Sequence, residues 1–208
     1  MNKKKELIEL FKKKGFDKKI ILAFEKVPRE DFIPLNLKDY AYENTTLPIG
    51  YGQTISQPEV VALMLSLLEL KKGQKVLELG SGSGYVLALI SEIIGKKGKI
   101  FGVERIKELA ERSKKTLYNL GYKNIQVFNR NGYEGLPEKA PFDRILISAA
   151  IQEIPEKILS QLSIKGIFVA PKGPRFEQEI IVIEKKKDNV FEIKKRIPGF
   201  LFVPFVND

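Results

Sequence analysis

The stretch Val76-Leu77-Glu78-Leu79-Gly80-Ser81-Gly82-Ser83-Gly84-Tyr85 decides the fold. Its first residues form a short apolar run, and the residues after Gly84 carry an apolar helical period. The glycines therefore sit between a strand and a helix. Glycine at 80, 82 and 84 permits a tight turn and lets the backbone approach a ligand closely. The helix that follows points free N–H groups at whatever lies above the strand end. In open α/β sheets that is where ligands bind.

Outward from this turn the pattern repeats. Strands are predicted at 75–79, 99–103, 125–128, 144–148 and 167–169, and helices at 85–94, 107–120 and 156–162. Short apolar strands alternating with amphipathic helices imply βαβ units and a mostly parallel sheet. Residues 179–184 and 190–195 are strand-like around Lys187-Asp188-Asn189, a hairpin signal, and 201–205 reads as a last strand. The expected fold is α/β: a doubly wound, mostly parallel, Rossmann-like sheet with antiparallel strands at its C-terminal edge and an N-terminal helical extension.

In the extension, Leu7, Leu10 and Phe11 fall at helical spacing and Gly15 stops them. Asp17 can cap a second helix carrying Ile20, Ile21 and Phe24. Pro28 and Pro34 break the chain, 40–53 reads as an ordered loop, and a helix is predicted at 57–68. Residues 1–70 are expected to form part of the substrate site and 71–208 the core, within one compact domain.

Composition narrows the chemistry. The 208 residues are 43% hydrophobic and 30% charged, the balance of a globular protein. Without cysteine there are no disulfides, thiolate metal sites or cysteine nucleophiles. Without histidine, the commonest general base and metal ligand is also missing. No apolar run approaches the roughly 20 residues that span a bilayer, and the first residues lack a signal-peptide pattern. A cytoplasmic location and no membrane partner are expected. The net charge is +10. Most of the excess lies in residues 71–135, which hold 13 basic and 6 acidic side chains. Most of the basic residues are lysines at predicted helix ends and turns, the pattern of a solvated surface. A specific nucleic-acid partner is therefore not expected.

The ligand at the turn can be narrowed further. A dinucleotide fingerprint, G-x-G-x-x-G, requires a third glycine where Tyr85 stands. Glu78, two residues before the first glycine, would repel a pyrophosphate. It suits a ligand with an ammonium and a sulfonium, as in S-adenosylmethionine. The second strand ends at Glu104, 20 residues beyond Gly84. A carboxylate there can accept both ribose hydroxyls, a requirement shared by NAD and S-adenosylmethionine. Taken alone, Glu104 could equally be a helix N-terminal charge.

The acceptor side is less direct. The fourth strand runs into Ser148-Ala149-Ala150-Ile151, small residues where enzymes acting on exocyclic amines carry Asn-Pro-Pro-Tyr. That disfavours an amino-group acceptor. Two upstream stretches, Val27-Pro28-Arg29-Glu30-Asp31-Phe32-Ile33-Pro34 and Leu47-Pro48-Ile49-Gly50-Tyr51-Gly52-Gln53-Thr54-Ile55-Ser56-Gln57-Pro58, resemble the protein-L-isoaspartate O-methyltransferase family. So do Gly135-Leu136-Pro137, Ala140-Pro141-Phe142-Asp143 and Phe202-Val203-Pro204, with spacings kept from about Val27 to Phe205.

The resemblance implies methyl transfer from S-adenosylmethionine to the free α-carboxylate of an isoaspartyl residue in damaged proteins and peptides, initiating repair through a succinimide. It implies Ser56 as the catalytic residue beside that carboxylate. It implies a cofactor site of Gln53, Thr54, Ile55, Glu78, Gly80, Ser81, Gly82, Gly84, Glu104, Arg105, Asn131 and Gly132, no metal, and a monomer. Ser56 also has a structural reading, because Ser56-Gln57-Pro58-Glu59 fits a capping box at the start of a helix. The family's Gly-Asp-Gly after the third strand is Arg130-Asn131-Gly132 here. Asn131 can still accept from an adenine amine but has lost a charge, and it could be a left-handed turn residue. A nucleic-acid or other small-acceptor methyltransferase is the alternative.

Overall fold

The computed structural model describes residues 3–206. The sheet grows from the predicted turn. Strands β3 (Lys75–Leu79), β4 (Lys99–Glu104), β5 (Ile125–Asn129), β6 (Phe142–Ile147) and β7 (Leu162–Lys172) are parallel, and β8 (Gln178–Lys187) and β9 (Val190–Phe200) add antiparallel. The spatial order is β5-β4-β3-β6-β7-β8-β9. The chain therefore reverses direction between β3 and β6, and the crevice above that pair is the switch point where open α/β sheets hold ligands.

Residues alternate across β3, as a period of two requires. Val76, with Leu146 of β6, faces helices α4 (Tyr85–Ile94) and α5 (Lys107–Asn119). Leu77 and Leu79 face the other side, with Phe101, Ile145, Ile147 and residues of α6 (Glu156–Ser160). Every residue of β3 after Lys75 is buried, so Glu78 is a carboxylate carried inside an apolar strand. Each fully buried aliphatic side chain contributes about 1.5–3 kcal/mol, which is ample support for one buried acidic group.

Helices α1 (Lys3–Lys13), α2 (Lys18–Lys26) and α3 (Pro58–Leu67) join α4 in one hydrophobic cluster. Asp17 caps α2 as expected, accepting from Lys19 N at 2.9 Å.

Three expectations change. The expected loop at 40–53 runs into a small antiparallel hairpin, β1 (Leu47–Gly50) with β2 (Gln53–Ile55). Gly50, Tyr51 and Gly52 take φ of 95°, 55° and 69°, which lets the chain reverse in so few residues. Leu47, Ile49 and Ile55 are buried and pin it down, and Arg112 of α5 donates to Ile49 O at 2.6 Å. The alternation Leu47-Pro48-Ile49 before Gly-Tyr-Gly was the available signal. Secondly, 201–205 is not a sheet strand. It is a strap lying over the end of β6, joined by Ala150 N to Val203 O and Phe205 N to Ala150 O, both 2.8 Å. The bulged pairing of β8 with β9 ends at Phe200, and the chain crosses to the crevice instead.

Thirdly, Ser56 does not form the capping box. The N-cap of α3 is Gln57, without a side-chain bond. Asn44 does the capping from 15 residues away: its Oδ1 accepts from Glu59 N at 3.0 Å and its Nδ2 donates to Glu59 Oε2 at 2.8 Å. Removing an N-terminal cap typically costs about 1 kcal/mol. Asn44→Ala is therefore expected to lower the melting temperature by roughly 2–4 °C in a chain of this size, measured by circular dichroism. Ser56→Ala should leave it unchanged.

Candidate active site

Glu104 and Glu78 organise the crevice in different ways. Glu104, at the end of β4, is buried. Its Oε2 accepts from Gly82 N at 2.8 Å and its Oε1 from Ile106 N at 2.9 Å. One carboxylate thus ties the glycine turn to the entrance of α5 and lines the adjoining cavity. Gly82 lies at φ 51°, where a side chain would be strained. Gly84, at φ 85°, is a packing glycine: a Cβ there would press on Ser113 and Leu117 of α5 at 3.1 Å.

Glu78 accepts from Ser148 Oγ at 2.6 Å through Oε1, while Oε2 is buried without a partner. Burial pushes its carboxyl up to about 8, with Glu104 adding to the rise and Ser148 opposing it. A buried carboxyl with an open oxygen at a cavity wall calls for a cation. Ser81 Oγ, also buried without a partner, lines the same small cavity as Glu78, Gly80, Gly82, Thr54, Ile55 and Ser56. These orphaned atoms fit the amino-acid end of S-adenosylmethionine. A cation there would draw the proton from Glu78. Binding at pH 7 is therefore expected to release a proton, seen calorimetrically as an enthalpy that varies with the buffer, and Glu78→Gln should abolish that release. The shift has a stability consequence. The folded carboxyl holds its proton to higher pH than the unfolded one, so its contribution is present below the ordinary carboxylate value and is lost as pH rises toward about 8.

A second cavity of 270 Å³ adjoins the first, lined by Gln53, Thr54, Gly80, Gly82, Glu104, Arg105, Ile106, Gly132 and the strap residues Val203–Val206. A third, of 360 Å³, is an open groove lined by Thr46, Thr54, Ser56, Gln57, Val60 and residues 199–203. Thr54 and Ser148 line all three. The crevice thus gathers Gln53, Thr54, Ile55, Ser56, Glu78, Gly80, Ser81, Gly82, Glu104, Arg105 and Gly132.

Two predicted residues stand apart. Gly84 supports the turn from behind. The Asn131 side chain folds onto its own backbone, Oδ1 accepting from Tyr133 N at 2.8 Å. It is not left-handed, so it makes an Asx-type turn rather than the αL turn that was its alternative reading. Arg130 is engaged elsewhere, in a two-pronged pair with Glu138 at 2.9 and 3.0 Å.

Ser148 and the strap also line the crevice, although neither stood among the residues expected to hold cofactor or acceptor. Phe205 packs on Gly132, where a Cβ would come within 2.9 Å of its ring, and it stacks on Tyr133 at 5.3 Å. Their signal was apolar spacing in a tail with no partner of its own.

A switch-point turn offering a buried carboxylate, with a second carboxylate closing the neighbouring strand, is the arrangement of S-adenosylmethionine-dependent methyltransferases. The fold extends to precorrin-6y C5,15-methyltransferase from Geobacter metallireducens, which aligns with 69% of the chain at a TM-score of 0.53 and 21% identity. The model of the protein-L-isoaspartate(D-aspartate) O-methyltransferase family matches residues 2–208, and the chain belongs to that family. It is similar to the protein-L-isoaspartate O-methyltransferases of Methanococcoides burtonii, 40% identical over 96% of this chain and 98% of the relative, and of Methanococcus aeolicus, 46% identical over 91% and 87%. A Plasmodium falciparum structure described as a protein-L-isoaspartate O-methyltransferase, solved with S-adenosyl-L-homocysteine, superposes over all of both chains at a TM-score of 0.85 and 26% identity. The reaction is methyl transfer from S-adenosylmethionine to isoaspartyl residues of damaged proteins.

Proposed function

We propose that Ser56 receives the α-carboxylate of the isoaspartyl residue at the junction of the groove and the cofactor cavity. The observation that carries this is the state of its hydroxyl: among the described residues Asn44 has taken over the capping of α3, and Ser56 Oγ forms no hydrogen bond. The main-chain carboxylate, with an ordinary pKa of about 3.3–3.7, is already an anion at neutral pH. No base is needed, which is why a chain without histidine or cysteine suffices. Ser56 donates to one carboxylate oxygen and orients the other. Val60 and Phe202 give the groove apolar walls, which would favour water leaving when the acceptor enters.

S-adenosylmethionine, when bound, supplies an electrophilic methyl on a sulfonium. Glu78, Gly80 and Ser81 hold its amino-acid end, Glu104 its ribose, and Arg105, Gly132 and Phe205 flank its base, with Gln53, Thr54 and Ile55 covering it. Asn131 shapes the turn beside the base, and Gly84 allows the turn to pack on α5. The first 70 residues form part of the acceptor side and also lend Gln53, Thr54 and Ile55 to the cofactor side, while residues 199–203 line the acceptor groove.

We further propose that the protein acts as a monomer in the cytoplasm. Edge strand β9 carries Lys194, Lys195 and Arg196 and pairs through bulges, features that discourage edge-to-edge association. Among the described residues no helix is long and apolar enough to cross a membrane. The test of the activity is methyl transfer to a synthetic peptide containing isoaspartate against the same peptide with aspartate. Strong labelling of the first and none of the second is expected; equal labelling would overturn it.

A further inference from the structure

We propose that Arg29 is a positioning residue for the acceptor, a buried clamp that sets where Ser56 stands relative to the glycine turn. This rests on the reading of Ser56 given above. Arg29 opens a 3₁₀ turn over Arg29–Phe32 and is completely buried. Its Nη2 donates to Ser56 O at 3.0 Å and lies 3.4 Å from Thr45 O. Its guanidinium sits 5.1 Å from the ring of Tyr85, the first residue of α4 after the glycine turn. One rigid planar group therefore touches the acceptor loop and the helix that carries the cofactor turn.

Among the described residues the charge meets two backbone carbonyls and the Tyr85 side chain, but no acid, and its Nε and Nη1 are buried without partners. Glu30, its neighbour in sequence, instead accepts from the Tyr42 hydroxyl. An unpaired buried cation is costly, and an apolar side chain of similar volume is often as stable or more so. What an apolar chain lacks is a fork reaching a carbonyl and an aromatic face at once, and lysine has no such plane. Ser56 follows β2 and makes no side-chain bond of its own. Its position therefore depends on where its backbone is held, and a displacement of about 1 Å at a reacting centre can cost on the order of 100-fold in rate.

The test is a double-mutant cycle on kcat/KM with an isoaspartyl peptide. It uses Arg29→Met and Arg29→Lys, each alone and combined with Ser56→Ala, with cofactor affinity and far-ultraviolet circular dichroism measured on every variant. If Arg29 acts by placing the hydroxyl, each single change lowers kcat/KM by about 10- to 100-fold, and each double variant falls no more than about threefold below the worse single. Cofactor affinity should stay within about twofold of the parent. Additive effects, or Arg29 variants with parental activity, would overturn the inference while leaving Ser56 in place. So would failure of both Arg29 variants to fold, which would assign the residue to stability. A Ser56→Ala variant with parental activity would instead remove the reading of Ser56, and the clamp with it.

Discussion

Ser56→Ala is expected to lower kcat/KM for an isoaspartyl peptide by roughly 5- to 150-fold, the equivalent of about 1–3 kcal/mol of transition-state hydrogen bonding. The melting temperature and the affinity for S-adenosylmethionine should not change. The separation is possible because the two tasks compatible with Ser56 fall on different residues. Asn44 satisfies Glu59 N at the start of α3, so truncating Ser56 removes no cap. Ser148, the neighbouring hydroxyl that also lines the groove, does not replace it, being committed to Glu78 Oε1. Steady-state methylation of a labelled peptide measures the effect. Undiminished activity in a folded Ser56→Ala protein would transfer the acceptor role elsewhere.

Glu104→Gln should do still more damage, and to the cofactor rather than the acceptor. The carboxylate accepts from Gly82 N and Ile106 N, one on each oxygen. An amide keeps one acceptor and sets an NH₂ against the other N–H, leaving buried donors opposed. Hydrogen bonds to charged groups are worth about 1.5–3 kcal/mol, and a buried unsatisfied donor costs a similar amount. The glycine turn would shift and the ribose acceptor would be weakened together. The expected result is a rise of about 100-fold or more in the dissociation constant for S-adenosylmethionine, by titration calorimetry, with the far-ultraviolet spectrum retained. A Glu104→Gln protein that binds the nucleoside normally would mean that the carboxylate serves only to hold the loop, and that the loop tolerates its loss. Glu78→Gln separates from this by its signature, since it changes proton release on binding more than the shape of the turn.

Residues 75–104 were legible because everything that specifies them is local. The apolar run of β3 and the helical period of α4 are properties of neighbouring residues, and so is the glycine spacing between them. The position of Glu104 follows from the length of one crossover. The family's upstream motifs marked Ser56 but could not say whether its hydroxyl was occupied. That depended on Asn44, 15 residues earlier, and on a hairpin between them that reads as loop because its strands are only four and three residues long. The apparent capping box was a correct local pattern overridden by a tertiary contact.

The sequence by itself determined a parallel sheet with a glycine turn, a carboxyl group before it and another at the end of the next strand, and chemistry without histidine or cysteine. Only the tertiary structure decided which groups are left free to act. It folded the 201–205 tail over Gly132, turned Asn131 onto Tyr133, and set Arg29 against Ser56 from 27 residues away. The physical reason is that propensity and periodicity encode the backbone of each element, whereas the partner of a polar group is chosen by which distant surface the packing brings to it.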